Sequence, residues 1–579
     1  MPAARDRIPA DLTELPSLAA LLRYRAAVQP DERAYVALSD RGREEAIVTF
    51  AELDRRAAAL AHRVAERASR GDRVLLLFPM GIDCLAAFFG CLYAGIIAVP
   101  MMLPRRQSAR DSSGSILADC APRLLMTTAE FAEGGRGDLL GRFRDAGLEF
   151  LAVDAPEKEA SLVPLPEPPG DDIAFLQYTS GSTSAPKGVM VSHGNLLANL
   201  EMIRIVCGNT RSSTYVSWVP LYHDMGLILN ALQALYVGAA CVLLPPMAFM
   251  QRPYLWLRAI SDYRAEVAGG PNFAFDLCVD RHRPEQLEGL DLSCWKLAFV
   301  GAEPVRAATI ERFTEMFHPY GFDPQAMWPG YGMAEATLLI SGGQRGEGPL
   351  VRDLSRAALL RHEALPAQDN DDTQPIVGCG RALAGEQIAI VDPETKARLG
   401  PGRVGEIWVA GANVAQGYWQ NPAATEATFR ARIAGGAGGP WLRTGDLGFL
   451  DEIGELFITG RIKDIIIIRG ANHYPQDIED TVQSSDAVLR RHGGAAFAVA
   501  DSETGERLVV AQEVERTERN RIAPAELVGR IREAILIEHD IVPYDIVLLR
   551  PGALPKTTSG KIQRALARQL WLTGTLDRL

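Results

Sequence analysis

Residues 178–188 read YTSGSTSAPKG, and the interpretation of the whole chain turns on them. An apolar run, Ile173 to Gln177, precedes them and predicts a buried strand. Thr179, Ser180, Gly181, Ser182 and Thr183 then crowd hydroxyls around a glycine, and Lys187 follows. Hydroxyls and closely approaching N–H groups are what a polyphosphate needs from a loop, and a lysine adds a mobile point charge. The spacing is not that of the P-loop, G-x-x-x-x-G-K-[ST]. Pro186 stands where the second glycine belongs, and Gly188 replaces the magnesium-holding hydroxyl. This is a different phosphate loop, whose metal must be held elsewhere. The competing reading is a polar surface loop after a strand.

Working outward, strand and helix patterns alternate on both sides. Phe50 to Arg67 predicts an amphipathic helix, and Arg73 to Phe78, Leu124 to Thr127 and Phe150 to Val153 predict strands. Alternation resumes through Ala240 to Leu244 and Leu297 to Gly301, as parallel sheets with crossover helices require. Cys84 to Leu103 carries no charge and is long enough to span a bilayer, but Gly90, Gly95 and Pro100 interrupt it. It reads as a buried helix to about Ala94 and a strand from Ile96 to Met102. From Ile388 the strands become short and turn-linked (Gln387 to Val391, Gly405 to Val409, Glu455 to Ile458), which predicts a small antiparallel sheet or barrel. Lys463 to Arg469 predicts a strand. An α+β tail follows, with strands Ala495 to Val499, Arg507 to Val514 and Ile546 to Leu549 and a helix near Pro524 to His539.

The 579 residues exceed one ordinary core, so several domains are expected. A net charge of −12 argues against a general nucleic-acid binder. The eight cysteines form no C-x-x-C and lie mostly in apolar surroundings, as free thiols in a reducing, cytoplasmic compartment do. No zinc spacing is present, and the charged N-terminus argues against a signal peptide.

Further short strings follow in order: LYHDMGL at 221–227, GAEPV at 301–305, YGMAEAT at 331–337, GEIWV at 405–409, RTGDLG at 443–448, GRIKDIIIIRG at 460–470 and LPKTTSGKIQR at 554–564. Together they resemble the adenylate-forming superfamily of acyl-CoA synthetases, luciferases and peptide-synthetase adenylation domains, over nearly the whole chain. The resemblance implies an α/β fold. A large N-terminal adenylation domain, 1–460, would comprise two stacked αβαβα-type subdomains and a small β-barrel-like one. A small mobile α+β C-terminal domain, 461–579, would rotate about a hinge at Asp464. It implies ATP and Mg²⁺, with Glu335 as the magnesium ligand. Tyr331 would lie on adenine, flanked by Gly301, Ala302 and Glu303, with Gly332, Met333 and Ala334 beside it. Asp446 would bind the ribose hydroxyls and Arg461 the ribose from the other side. His223 would stand beside the acyl carboxylate, and Lys561, arriving by domain docking, would bind the reacting carboxylate and α-phosphate.

Three details resemble the fatty acyl-AMP ligase branch. YHDMGL and RGANHYPQDIE (469–479) match its versions of those motifs. An insertion-like stretch, about 341–375, contains LVRDLSRAALLRHEAL, which reads as an amphipathic helix, and then an acidic loop, AQDNDDTQ. No G-x-D-S-L carrier signature occurs, so an acyl carrier protein with its phosphopantetheine arm would act in trans. The implied reaction is activation of a fatty acid to acyl-adenylate and transfer to the carrier thiol rather than to CoA. An acyl-CoA synthetase is the alternative. An amino-acid-activating domain and a non-catalytic nucleotide sensor are more distant ones. Met225, Leu227, Pro271, Phe273 and Phe275 are candidates for an apolar acyl tunnel, or for ordinary core.

Overall fold

The uncharged run that begins at Cys84 is enclosed because it lies between two sheets. In the computed structural model, helix Ile82–Tyr93 buries ten of its twelve residues and touches strands of both. A helix that is apolar all round belongs in such a layer. Among the described residues no helix is long and apolar enough to cross a membrane. The structure describes all residues except 1–11, 13, 105–112, 135–139, 156–164, 180–185, 370, 371, 437, 469, 470, 502–504, 517–522, 558 and 559.

Beside that helix lies Phe50–Ala65. Thr49 caps it by accepting from the Glu52 N–H, and it buries Phe50, Leu53, Ala57, Leu60, Ala61 and Val64 along one stripe. The first sheet has six strands and is parallel except at one edge, where Lys187–Ser192 runs antiparallel to Ile173–Thr179. The strand after Thr179 in sequence therefore returns antiparallel beside it, whereas a P-loop leads from strand into helix.

The second sheet has nine strands. Its parallel centre includes Cys241–Leu243, Tyr215–Ser217, Val267–Gly270, Leu297–Val300 and Met327–Gly332, and antiparallel strands cover both ends. Helix His193–Cys207 also contacts both sheets. The strands after 387 form a four-stranded antiparallel sheet, Gln387–Val391, Gly405–Ala410, Leu442–Leu450 and Leu456–Arg461. It stays open, where a barrel-like unit was expected. An isolated bridge from Gly378 to Phe457 brings a two-stranded ladder to its edge in place of closure.

Two sequence expectations fail locally. The amphipathic helix of 350–365 is instead strand Val351–Ser355, paired with Thr373–Val377, and a single turn, Arg356–Leu359. The ladder supplied by the distant strand and the capping of the turn by Ser355 and Asp372 override the local periodicity. Of the predicted strand Lys463 to Arg469, the described residues 463–468 are strand only at Ile466–Ile468, because the chain first turns through a 3₁₀ segment, Ile462–Asp464, and Arg469 lies outside the described residues.

Beyond this turn, Leu489–Asp501, Gly505–Val514 and Asp545–Leu549 make a three-stranded sheet with helices Pro475–Ser484, Pro524–His539 and Arg564–Leu572. Two buried apolar clusters here consist wholly of residues beyond 465.

Candidate active site

A cavity of about 1950 Å³ opens where the nine-stranded sheet, the four-stranded sheet and the C-terminal unit meet. On one wall, Asp446 is buried in strand Leu442–Leu450, and its cross-strand neighbour is Arg461. Arg461 Nε donates to Asp446 Oδ1 at 2.7 Å, and Tyr331 Oη donates to Oδ2 at 2.8 Å. The carboxylate raises the Arg461 guanidinium above its ordinary value, so the buried charge is paired. Tyr331 thus holds Asp446 by its hydroxyl and leaves its ring on the cavity wall. Gly301, Ala302 and Glu303 leave the end of strand Leu297–Val300 and line the same space, with Gly332, Met333 and Ala334 opposite.

Glu335 sits in the 3₁₀ turn Ala334–Ala336, and one carboxylate oxygen accepts from Tyr418 Oη at 2.8 Å. Burial pushes its carboxyl up. Lys187 Nζ lies 4.6 Å over the Tyr418 ring, so tyrosine, acid and lysine share one corner. Among the described residues no cluster of three or more His, Cys, Asp or Glu could hold a metal. A lone carboxylate in a phosphate site suits Mg²⁺, which takes one or two carboxylates and completes its shell with phosphate oxygens and water. The residues present fit that ion, which Glu335 could hold.

His223 Nδ1 lies 2.7 Å from Asp224 Oδ1, at the start of a buried π-helix, Met225–Leu232. Gln177 Nε2 donates to the Tyr222 carbonyl at 3.0 Å, tying the histidine loop to the strand that enters the phosphate loop. Burial pushes the Asp224 carboxyl up, but His223 and Lys561 beside it leave it below the usual carboxylate value.

Lys561 lines this cavity although it is far along the chain. Its turn is closed by Thr557 N–H donating to the Lys561 carbonyl at 2.7 Å and Lys561 N–H donating to Thr557 Oγ1 at 3.0 Å. Burial lowers the ammonium below the ordinary lysine value, and Asp224 opposes the shift. Asp464 accepts from Arg564 at 3.3 Å, and Arg564 also grips Glu479 through two contacts of 2.7 Å.

The structure brings together Thr179, Lys187, His223, Met225, Phe273, Tyr331, Glu335, Asp446, Arg461, Asp464 and Lys561 around the cavity. Ser180, Gly181, Ser182 and Thr183 lie outside the described residues. Leu227, Pro271 and Phe275 do not line the cavity that the described residues bound. Phe275 instead packs edge-on to Trp256 and Phe313, at 5.7 and 5.0 Å, inside an aromatic core. Helical periodicity turns it away from Phe273. Leu229, Phe299, Trp328 and Leu339 give the apolar end of the cavity, and sequence reading missed them. It also missed Tyr418, whose partner Glu335 is 83 residues away in sequence.

The sequence profile described as AMP-binding enzyme matches residues 22–419. The chain belongs to the AMP-binding enzyme family. A second profile, the AMP domain of Disco-interacting protein 2-like proteins, matches residues 463–579 of this AMP-binding enzyme. The medium-chain-fatty-acid–[acyl-carrier-protein] ligase JamA of Moorena producens is 43% identical, over 98% of this chain and 96% of that protein. The 4-hydroxyphenylalkanoate adenylyltransferase of Mycobacterium tuberculosis is 38% identical, over 97% and 93%. The fold matches the crystal structure of the fatty acyl-adenylate ligase of L. pneumophila in complex with acyl adenylate and pyrophosphate. That match has a TM-score of 0.76 and 39% identity, covering 98% of each chain.

Proposed function

We propose that this AMP-binding enzyme is a fatty acyl-AMP ligase that loads an acyl carrier protein. One observation carries the reading. Lys561, from the C-terminal unit, lines the chamber that also holds Asp446, Arg461, Glu335 and His223. Groups from two ends of the chain surround a space polar on one side and apolar on the other.

The chemistry follows from these groups. Asp446, held by Tyr331 and Arg461, offers a fixed acceptor to the ribose hydroxyls of ATP. The fatty acid lays its chain toward Phe299, Trp328 and Leu339 and its carboxylate beside His223. A carboxylate oxygen attacks the α-phosphorus, a P–O bond forms, and the bond to pyrophosphate breaks with its electron pair. Negative charge spreads over the phosphoryl oxygens, and preorganised cations stabilise it. Lys561 and Lys187, which both line the chamber, supply that charge. Glu335 would hold Mg²⁺, which would neutralise phosphate charge. The thiolate of a carrier then attacks the acyl carbon and expels AMP.

Carrier rather than CoA as acceptor is supported by the carrier-directed relative and by the 341–375 segment. Arg356 there pairs with Glu538 at 2.6 Å, and just beyond it His362 contacts Asn472 at 2.8 Å. The segment thereby braces the unit that must move. We place the domain boundary at 460/461 and the hinge at Asp464. Eight free cysteines, seven of them buried, support a reducing, cytoplasmic setting.

Mass spectrometry of products from a fatty-acid panel with ATP and Mg²⁺, with and without CoA and a holo-carrier, tests the reading. Acyl-AMP and acyl-carrier are expected. Rapid acyl-CoA formation would make the protein an acyl-CoA synthetase.

A further inference from the structure

Helix Asn272–Asp280 shows two side chains, three positions apart, to the C-terminal unit. Phe273 meets Gly560, the neighbour of Lys561. Gly560 has φ +85, and a Cβ there would fall 2.9 Å from the Phe273 ring, so glycine is needed for both reasons. One turn on, buried Asp276 accepts from His492 Nε2 at 2.7 Å. The other ring nitrogen, Nδ1, lies 3.1 Å from the Arg306 guanidinium. A neutral imidazole protonated on Nε2 satisfies both contacts, donating to the carboxylate and accepting from arginine.

His492 is itself unusual. Its φ is +53, within strand Leu489–Asp501 and inside the register shift between Leu489 and Gly494. Such a bulge re-aims one side chain out of a ladder. From there its carbonyl accepts from Lys556 Nζ, and Lys556 bridges to Ile562 across the Lys561 turn. On the opposite side, Arg306 also pairs with Asp480 at 2.9 Å. The Arg306 N–H donates to Asn272 Oδ1 at 3.1 Å, and Asn272 Nδ2 donates to Glu303 at 3.1 Å. The segment 301–306 beside the nucleotide space, the helix and the Lys561 turn thus form one connected path.

We propose that helix Asn272–Asp280 is the dock on which the C-terminal domain seats for adenylation, with His492 and Arg306 as positioning residues for Lys561. This rests on the two-step reading above, and it adds that the first step alone depends on these contacts.

The test uses the full chain. His492→Asn keeps a residue that tolerates a left-handed backbone but is too short to reach Asp276, and Arg306→Ala removes the other half. Pyrophosphate release with a medium-chain fatty acid should fall about ten-fold in kcat for each, with KM for ATP within about two-fold. Transfer from supplied acyl-AMP to the acceptor should be unchanged. Spin labels at Glu311→Cys and Glu526→Cys should lose their closest distance population in both variants. Adenylation within two-fold of wild type, equal loss in both half-reactions, or an unchanged distance population would each overturn the dock. If the wild-type acceptor proves to be CoA, the carrier assignment falls, and the same split measured with CoA still decides the dock.

Discussion

In the proposed mechanism Lys561 acts as an ammonium, and burial lowers its proton affinity from the ordinary 10.5. It is charged below its folded value and loses the charge as pH rises through it. kcat/KM for adenylation should therefore fall on an alkaline limb that begins below 10.5, and Lys561→Arg should remove that limb. Lys561→Ala should cost about 10² to 10³ in adenylation rate, on the scale of losing one preorganised donor, with an unchanged melting transition. Glu386 gives a second titration. Burial pushes its carboxyl up to about 8, while one oxygen accepts from Asn413 at 2.9 Å. Between the ordinary 4.5 and 8 the folded state binds more protons than the unfolded one, so stability falls as pH rises. Glu386→Gln keeps the acceptor without the charge. It should raise stability by about 1–3 kcal/mol at about pH 9 and by little below about pH 4.5, read from urea midpoints. At this scale the cavity-lining residues inside contiguous strings such as AEAT and TGD were legible, because neighbours in sequence stay neighbours in space. Tyr418 and Trp328 were not, because each acquires meaning only from a partner placed by the fold.

The π-helix Met225–Leu232 sets the His223 loop. A Cβ on Gly226 would fall 2.2 Å from the Pro220 carbonyl oxygen and 2.5 Å from that of Val219. Gly226→Ala must open this turn. It should cost about 1–3 kcal/mol in unfolding free energy, as overpacked cores do, and reduce adenylation at least about ten-fold by displacing His223. Denaturation midpoints and pyrophosphate release check both. Elements with strong local periodicity were legible, Phe50–Ala65 above all. The strand Val351–Ser355 was not. Its residues space like a helix face, and its ladder comes from Thr373–Val377 after an intervening turn.

For the whole molecule, parallel sheets with crossover helices were readable from alternation. The register of the nine-stranded sheet was not, since Arg33–Leu38 pairs with Cys241–Leu243 from a remote part of the chain. On the boundary proposed above, Asp464 joins the two units. Asp464→Pro stiffens the hinge and gives up the 3.3 Å contact to Arg564, which keeps its two 2.7 Å contacts to Glu479. The Phe273–Gly560 and Asp276–His492 contacts between the units involve neither Asp464 nor Arg564, so the docked arrangement survives. Adenylation should stay within about two-fold, and transfer from acyl-AMP to carrier should slow by about ten-fold or more. Single-turnover assays of each half-reaction check this, and equal slowing of both would remove Asp464 from the hinge.

One side of the chamber is built from residues on the far side of that hinge, Lys561 among them. On the mechanism proposed above, the mixed anhydride would be shielded from hydrolysis by a door that swings to admit its proper nucleophile. Every opening that lets in a thiol lets in water too. Futile breakdown should then track how long the door stands ajar without a carrier, and an abundant loaded partner would act as a stopper against waste.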